Sequence, residues 1–164
     1  MLPEGLRSNP LVAALETFDA HAIVDGHDNL GELTLILDPS RIVPICQHLK
    51  QEQKFERLAG ITAVDWYPVE PRFEVVYLLH SISRNLRLRL KCRVSGDDPE
   101  LDSVTPVWRG ANWYEREVFD LFGIRFRNHP NLTRILMPEG WQGHPLRRDY
   151  PVHGHKYDYA DEAI

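Results

Sequence analysis

The residues best suited to chemistry are concentrated in positions 113–124, which read Trp-Tyr-Glu-Arg-Glu-Val-Phe-Asp-Leu-Phe-Gly-Ile. The first ten of these positions hold three carboxylates, one guanidinium and four aromatic rings. Charged side chains are rarely buried without partners, and so many aromatic rings are rarely all left in water. The composition of this stretch therefore indicates either a catalytic site or a protein interface.

A catalytic interpretation would use Glu115 or Glu117 as a general acid or base beside His129, as in hydrolysis. No nucleophile motif and no set of metal ligands accompanies these residues. On a helix, Arg116 and Asp120 would share one strip with Glu117. A solvated ion-pair face is the ordinary explanation of such a strip. The flanking aromatic residues argue against full solvation and favour an interface.

Metal and cofactor sites have little support elsewhere in the chain. Cys46 and Cys92 are the only cysteines and lie far apart, so the chain cannot assemble an iron–sulfur cluster or a cysteine-based zinc site. His153 and His155 offer two imidazoles, which do not make a metal site alone. No glycine-rich nucleotide loop of either common type occurs. Any electron carrier is therefore expected to belong to a partner.

Length and charge narrow the class of protein. At 164 residues, the chain is long enough for one domain with a proper core but not for two. The net charge of −5 disfavours nonspecific binding to nucleic acid. The N-terminus lacks the pattern of a signal peptide, and no apolar run is long enough to span a membrane. We expect a soluble protein, with docking onto a membrane complex left open.

Hydrophobic periodicity and turn residues predict both helices and strands. The predicted helices are 10–20, one that follows a cap at Asp38, a short piece near 103–109, and 111–122, which Gly123 stops. The predicted strands are 21–27, 30–37 after a turn at Asp28-Asn29, 61–67, 73–81 and 86–94. Strand 86–94 alternates leucines with a cationic face, which could bind phosphate or anionic lipid but more commonly pairs with acidic residues.

The last 41 residues, 124–164, show little periodicity and carry four prolines. This segment could not bury its own Ile135, Leu136, Met137 and Trp141 without help. It either wraps back on the domain or lies along another protein, and we favour the second arrangement. The predicted organisation is a domain over 1–123 followed by an extended C-terminal segment over 124–164.

These motifs resemble a known family, the C subunit (30 kDa subunit) of proton-pumping NADH:quinone oxidoreductase, respiratory complex I, called the J subunit in cyanobacteria and plastids. The resemblance rests on Glu115-Arg116-Glu117, Asp120, Leu121-Phe122, Gly123-Ile124, His129-Pro130 and Arg134-Ile135-Leu136. Downstream, 143–151 (Gly-His-Pro-Leu-Arg-Arg-Asp-Tyr-Pro) also looks like the family's tail. Thr133 departs from the pattern, because members often carry a basic residue there.

The resemblance implies an α/β (α+β) fold, a single compact domain with a mixed β-sheet flanked by helices and an extended C-terminal tail. It implies an assembly role without catalytic, cofactor-binding or metal-binding residues, and NADH, FMN, iron–sulfur clusters and quinone would lie in partner subunits. The expected partners are the large quinone-site subunit, which is the D type in this family's complexes, and neighbouring peripheral-arm subunits. The expected location is the cytoplasmic face of the bacterial inner membrane, with membrane association through the complex.

The residues carried over as signature and interface positions are Trp113, Glu115, Arg116, Glu117, Asp120, Phe122, Gly123, His129, Pro130, Arg134, Trp141, His144, Pro145, Arg147, Arg148, Asp149 and Tyr150. We hypothesise that their charges form hydrogen-bonded pairs that hold the tail, within the domain or across the interface, with the aromatic residues as anchors. Three alternatives remain open: the equivalent component of a hydrogenase-type membrane complex, a stand-alone acid–base enzyme, and a module that binds anions through its basic face.

Overall fold

The computed structural model describes residues 3–151, which form a five-stranded mixed sheet with helices packed on it. The helices are α1 Glu4–Arg7, α2 Pro10–Phe18, α3 Ile42–Gln51 and α4 Ala111–Phe122. The strands are β1 Ile23–Asn29, β2 Glu32–Leu37, β3 Arg57–Asp65, β4 Phe73–Ser81, β5 Leu86–Val94, β6 Glu100–Asp102 and β7 Arg125–Arg127. The predicted fold class, a mixed sheet flanked by helices, is confirmed.

The strands of the main sheet are ordered β1-β2-β5-β4-β3. Strands β2 and β5 are parallel neighbours, and all other neighbours are antiparallel. The core-facing residues of β4 and β5 join the buried residues of α2, α3 and α4 in a single core. The predicted bounds of β4 and β5 are those observed. Strand β5 alternates without a break, and β4 is rich in β-branched and aromatic residues, which favour strands.

The hairpin between β1 and β2 turns two residues later than predicted. Its loop is Leu30-Gly31, with φ of 55° and 81°, and Asn29 pairs with Glu32 on either side. Two successive positive φ values define the two-residue turn that suits the twist of a hairpin. The Asp28 carboxylate accepts a hydrogen bond from the Gly31 N–H at 3.0 Å. Asp28 thus belongs to β1 and stabilises the turn through its side chain. The predicted turn at Asp28-Asn29 was wrong.

The helix expected near 103–109 is absent and was also a wrong prediction. A short strand, β6, lies just before it and pairs in parallel with β7, which the sequence did not predict. The Ser103 N–H bonds to the Arg127 carbonyl at 2.9 Å, and the Val104 N–H bonds to the Glu115 carboxylate at 2.7 Å. Ser103 thus continues the extended pairing of β6 with β7, and only a single turn forms at Val107-Trp108, where both N–H groups bond to the Val104 carbonyl.

The cationic face of β5 pairs partly with acids of the same chain. Lys91 lies 2.8 Å and Arg93 lies 3.6 Å from the carboxylate of Glu74, and Arg89 lies 3.0 Å from that of Glu32. Pairing with acidic residues is the commoner of the two alternatives expected for this face.

In the described part of the chain, no helix is long and apolar enough to cross a membrane.

Candidate functional site

The predicted C-terminal segment, 124–164, is described to residue 151. Its first residues contribute β7 to the domain, whereas the stretch 128–151 contains neither helix nor strand and lies against α4 and the start of β4. Two carboxylates of the domain, Asp120 and Asp65, hold it. The segment therefore wraps back on its own domain, the arrangement that we did not favour. Packing of its outer side on another protein stays a prediction. His153 and His155 lie outside the described residues.

Asp120 is the first anchor. Its carboxylate is fully buried in the last turn of α4 and accepts three consecutive backbone N–H groups, at 3.0, 2.8 and 2.8 Å, from Ile135, Leu136 and Met137. Arg134 adds a charged hydrogen bond to its other oxygen at 2.7 Å. Burial by itself raises the pKa of Asp120, but these four bonds outweigh burial and hold the pKa below its usual value. Asp120 is therefore an ionised hub for residues 134–137.

The C-terminal end of α4 is capped by the same segment. The last carbonyls of a helix have no partner within it. Here the Asp120 carbonyl accepts from His144 Nδ1 at 2.9 Å, the Leu121 carbonyl from the Leu146 N–H at 3.0 Å, and the Phe122 carbonyl from Arg147 Nε at 2.6 Å. A cation at this end also suits the helix dipole.

Gly123 makes this close approach possible. It ends α4 with φ of 75°, a conformation that residues with a Cβ rarely adopt. A Cβ at this position would lie 2.5 Å from Arg147 Nη2 and 2.5 Å from His144 Cδ2. The glycine is thus required both by the backbone conformation and by the side chains that cover the helix end.

Asp65 is the second anchor, at the end of β3. It is paired with Arg72, whose Nε and Nη2 donate to the two carboxylate oxygens at 2.8 and 2.7 Å. Its Oδ2 also accepts the Arg148 N–H at 2.8 Å. Arg72 makes a second two-pronged pair with Asp149, at 2.9 and 2.6 Å. Residues 148 and 149 are therefore clamped onto the domain through one arginine.

Asp65 and Arg72 shift each other's pKa values at this second anchor. Burial acts to raise the pKa of Asp65, but hydrogen bonds from Arg72, Arg148 and Tyr67 lower it to about 2. The two carboxylates in turn raise the pKa of Arg72. Neither Asp65 nor Arg72 is among the signature residues predicted from the sequence. A lone arginine after a proline gave no signal, because its partner Asp149 lies 77 residues away.

Glu115 and His129 form a separate buried cluster. The Glu115 carboxyl is fully buried and accepts from the Ser103 hydroxyl at 2.6 Å and the Val104 N–H at 2.7 Å. Burial raises the pKa of Glu115 to about 7, because no cation offsets the lost hydration. His129 Nε2 lies 3.9 Å from this carboxyl but bonds to the Asn112 carbonyl at 3.2 Å.

The His129 ring is held in one neutral form. Its Nδ1 accepts the Asn131 N–H at 3.0 Å, so the proton lies on Nε2. Burial lowers the pKa of His129. With both side chains fully buried, the pair of Glu115 and His129 has no exposed atom to offer a substrate.

The remaining predicted site residues differ in how deeply they are buried and in what they contact. Arg116 donates to the carbonyls of Thr133 and Arg134 at 3.0 and 3.1 Å and lies over the Trp113 ring. Phe122 belongs to the domain's own core. Those that present surface to solvent are Trp113, Glu117, Pro130 and Trp141, and those at intermediate depth are Pro145 and Tyr150. Glu117 has no hydrogen-bond or ion-pair partner among the described residues.

Comparison with known proteins places this arrangement in a family. Residues 35–156 match the family model described as respiratory-chain NADH dehydrogenase, 30 kDa subunit. This chain belongs to that family. The matched range contains both anchors, Asp65 and Asp120, and the whole wrapped segment to residue 151. The resemblance inferred from the motifs is thereby confirmed.

Individual relatives agree with the family model. The C subunit of the NADH-quinone oxidoreductase of Geobacter sulfurreducens is 46% identical over 148 residues, which cover 90% of this chain and 91% of that protein. The solved trypsin-resistant fragment (1–134) of Nqo5 is 37% identical, with a TM-score of 0.66, over 74% of this chain and 98% of that one.

A chain of the membrane-bound sulfane sulfur reductase, an archaeal respiratory membrane complex, has a TM-score of 0.75 over 89% of this chain and 86% of its own. At 24% identity, it shows a shared fold only. Within residues 3–151, no group of three or more His, Cys, Asp or Glu side chains is placed to hold a metal ion.

Proposed function

We propose that this chain is a structural subunit in the peripheral arm of a proton-translocating NADH:quinone oxidoreductase and has no catalytic activity of its own. It supports electron transfer from NADH, through FMN and iron–sulfur clusters, to quinone, with all of these groups held by neighbouring subunits. Its main partner is the large quinone-site subunit, the D type. Its location is the cytoplasmic face of the bacterial inner membrane, through the complex.

The observation that carries this proposal is the wrapped segment itself. Asp120 and the Asp65–Arg72 pair fix an irregular stretch of about twenty residues onto the domain by charged hydrogen bonds. Irregular backbone held so closely usually forms a binding surface on a rigid scaffold. The scaffold here is the helix and sheet to which both anchors belong.

Four large apolar side chains remain exposed on this segment and on the neighbouring helix α4. Trp113, Leu136, Trp141 and Leu146 remain 60%, 56%, 39% and 53% exposed. Exposed apolar side chains often mark protein interfaces, and tryptophan is enriched among the few residues that supply most of the binding free energy there. We assign these four side chains to the contact with the large subunit, with Glu117 at its rim.

A related membrane complex with a different electron donor is the second candidate. A chain of the sulfane sulfur reductase complex shares the fold over 89% of this chain, so the fold by itself is compatible with either kind of complex. A stand-alone acid–base enzyme is disfavoured, since Glu115 and His129 are both fully buried and already bonded.

The decisive experiment is to isolate the tagged chain from its native membranes in mild detergent and to identify its companions by mass spectrometry. We expect a large quinone-site subunit together with iron–sulfur and NADH-oxidising subunits. Recovery with hydrogenase or sulfur-reductase subunits would show instead that the chain belongs to a related membrane complex with a different electron donor. Recovery of the chain alone would contradict a structural role.

A second measurement separates structure from catalysis. Asp120→Asn is expected to lower the amount of assembled complex while turnover per assembled complex stays nearly unchanged. Glu117→Gln, on the same helix but exposed, is the matched control. Full assembly with no turnover in Glu117→Gln would overturn the proposal of a non-catalytic subunit.

A further inference from the structure

The outer face of the main sheet, opposite the core, carries a row of basic residues at one end. Arg57 of β3 and Arg87 of β5 are both register partners of His80 of β4, which lies between them. Directly paired residues place their side chains on the same face, with neighbouring strands about 5 Å apart. Three basic side chains therefore stand side by side across three strands.

This row lacks an acidic counterpart among the described residues. Neither Arg57 nor Arg87 has an ion-pair partner there. The nearby Glu56 carboxylate is occupied by the Ile82 N–H at 2.9 Å and the Ser83 hydroxyl at 2.6 Å. The two arginines are separated by two strand spacings, about 10 Å, with His80 between them. A bound anion between them would supply the negative charge that the described part of the chain does not.

The row borders a cleft of about 360 Å³. Leu78 and Ala59 form part of its wall, and Arg89 and Glu32, which are paired with each other at 3.0 Å, close one side. A volume of this size falls within the range of small-molecule sites, about 300 to 1,000 Å³. The cleft lies at the opposite end of β4 from Arg72, because Arg72 precedes its first residue and His80 is its penultimate one.

We propose that this cleft binds a phosphate group, with Arg57 and Arg87 as its two charged ligands and His80 between them. Guanidinium groups bind phosphate oxygens through paired hydrogen bonds. The ion pair of Arg89 with Glu32 is neutral as a whole, so two unbalanced positive charges remain. A phosphate dianion balances both, whereas a single carboxylate would leave one unbalanced.

The test titrates the purified full chain with inorganic phosphate at low ionic strength. Binding is measured by calorimetry and by the shift in melting temperature. We expect saturable binding that weakens by about a hundredfold in the double variant Arg57→Gln/Arg87→Gln, since the loss of each charged ligand of this kind weakens binding by about tenfold. The control Arg7→Gln/Arg109→Gln makes the same change in net charge at exposed sites elsewhere. It should bind phosphate as the unmodified chain does.

Two further arms identify the source of the phosphate group. A soluble phosphate ester and vesicles of phosphatidylglycerol are each compared with phosphatidylcholine vesicles. If the ester or the phosphatidylglycerol vesicles bind to the unmodified chain but not to the Arg57→Gln/Arg87→Gln variant, the result supports the site and identifies the molecule that carries the phosphate group. Equal phosphate binding by the arginine variant and the control would overturn the proposal. The absence of phosphate binding by the unmodified chain would overturn it as well, and failed assembly of the variant would then mark the row as a protein contact.

Discussion

Asp120 and Glu115 lie on the same helix, are both fully buried, and have opposite pKa shifts. Asp120 receives four hydrogen bonds, one of them from a guanidinium, whereas Glu115 receives two from neutral donors. The number and charge of the donors decide whether burial is offset. Asp120 is therefore a permanent anion, and Glu115 changes protonation near neutral pH.

Asp120→Asn tests the anchoring role at this scale. The amide keeps the size of the side chain but brings an N–H₂ toward backbone donors and leaves Arg134 without its charge partner. We expect a loss of about 2–4 kcal/mol in the free energy of unfolding, measured by urea denaturation. Trypsin cleavage after Arg134, Arg147 or Arg148 should be faster as well.

The control for this variant is again Glu117→Gln, which removes one negative charge from the same helix at an exposed position. It should change the free energy of unfolding by less than about 0.5 kcal/mol. Equal urea midpoints for the two variants would show that Asp120 does not anchor the segment.

Glu115→Gln tests the pH dependence. The pKa of Glu115 in the folded chain, about 7, is above its ordinary value of 4.5. The folded state therefore binds the proton more tightly than the unfolded state. This contribution to stability is full below pH 4.5 and is lost as the pH rises through about 7. Between pH 5 and 8, the native chain should lose up to about 3 kcal/mol relative to Glu115→Gln.

Unfolding of both chains at a series of pH values measures this difference. His144 titrates in both chains, so its contribution cancels in the comparison. His129 lies 3.9 Å from the Glu115 carboxyl, so the measured difference belongs to this pair of residues. A difference that is constant with pH would show that Glu115 does not titrate in this range.

At the scale of elements, the end of α4 and the wrapped segment stabilise each other. The sequence predicted the helix from Ala111 to Phe122 and its stop at Gly123, both as observed. It did not predict that three carbonyls at this end bind the segment 144–147. Because residues 144–147 bond to the last carbonyls of α4, the end of the helix and this segment each stabilise the conformation of the other.

Gly123→Ala tests this coupling. The positive φ costs an alanine about 1–2 kcal/mol, and the new Cβ would collide with Arg147 and His144. We expect at least about 2 kcal/mol of destabilisation in thermal or urea unfolding. Gly140→Ala is the control, because a Cβ there meets nothing within 4 Å. Similar losses for both substitutions would refute the requirement at Gly123.

At the scale of the whole molecule, stability and assembly should depend on different side chains. Trp141 is 39% exposed in the isolated chain, so Trp141→Ala should lower its free energy of unfolding by no more than about 2–3 kcal/mol and leave it folded. If Trp141 contacts the large subunit, the same substitution should reduce the yield of assembled complex severalfold, with turnover per complex unchanged. Native gels and activity per assembled complex measure both quantities.

Leu30→Ala is the control for assembly, because Leu30 is almost completely exposed at the β1–β2 turn, outside the proposed contact surface. It should leave both stability and yield unchanged. A fall in yield for Leu30→Ala but not for Trp141→Ala would place the partner on another face.

The sequence by itself determined the features that arise from neighbours along the chain. Strand β4 follows from its β-branched and aromatic residues, strand β5 from alternation, and helix α4 from helical spacing and a glycine stop, all of which act over a few residues. The family followed from the motif around Asp120, because its residue types and spacing are specific. The predicted helix near 103–109 was wrong because Ser103 continues the pairing of β6 with β7, a contact with a distant segment.

The tertiary structure alone decided which charges are buried and what they bind. Glu115 and Glu117 look equivalent in the sequence, yet one faces Ser103 in the core and the other faces solvent. The clamp of Arg72 joins Asp65 to Asp149, which lies 77 residues after the arginine, and no local pattern encodes such a contact. Pairing of buried charges depends on which segments meet after folding, since burial makes each charge costly until its partner arrives.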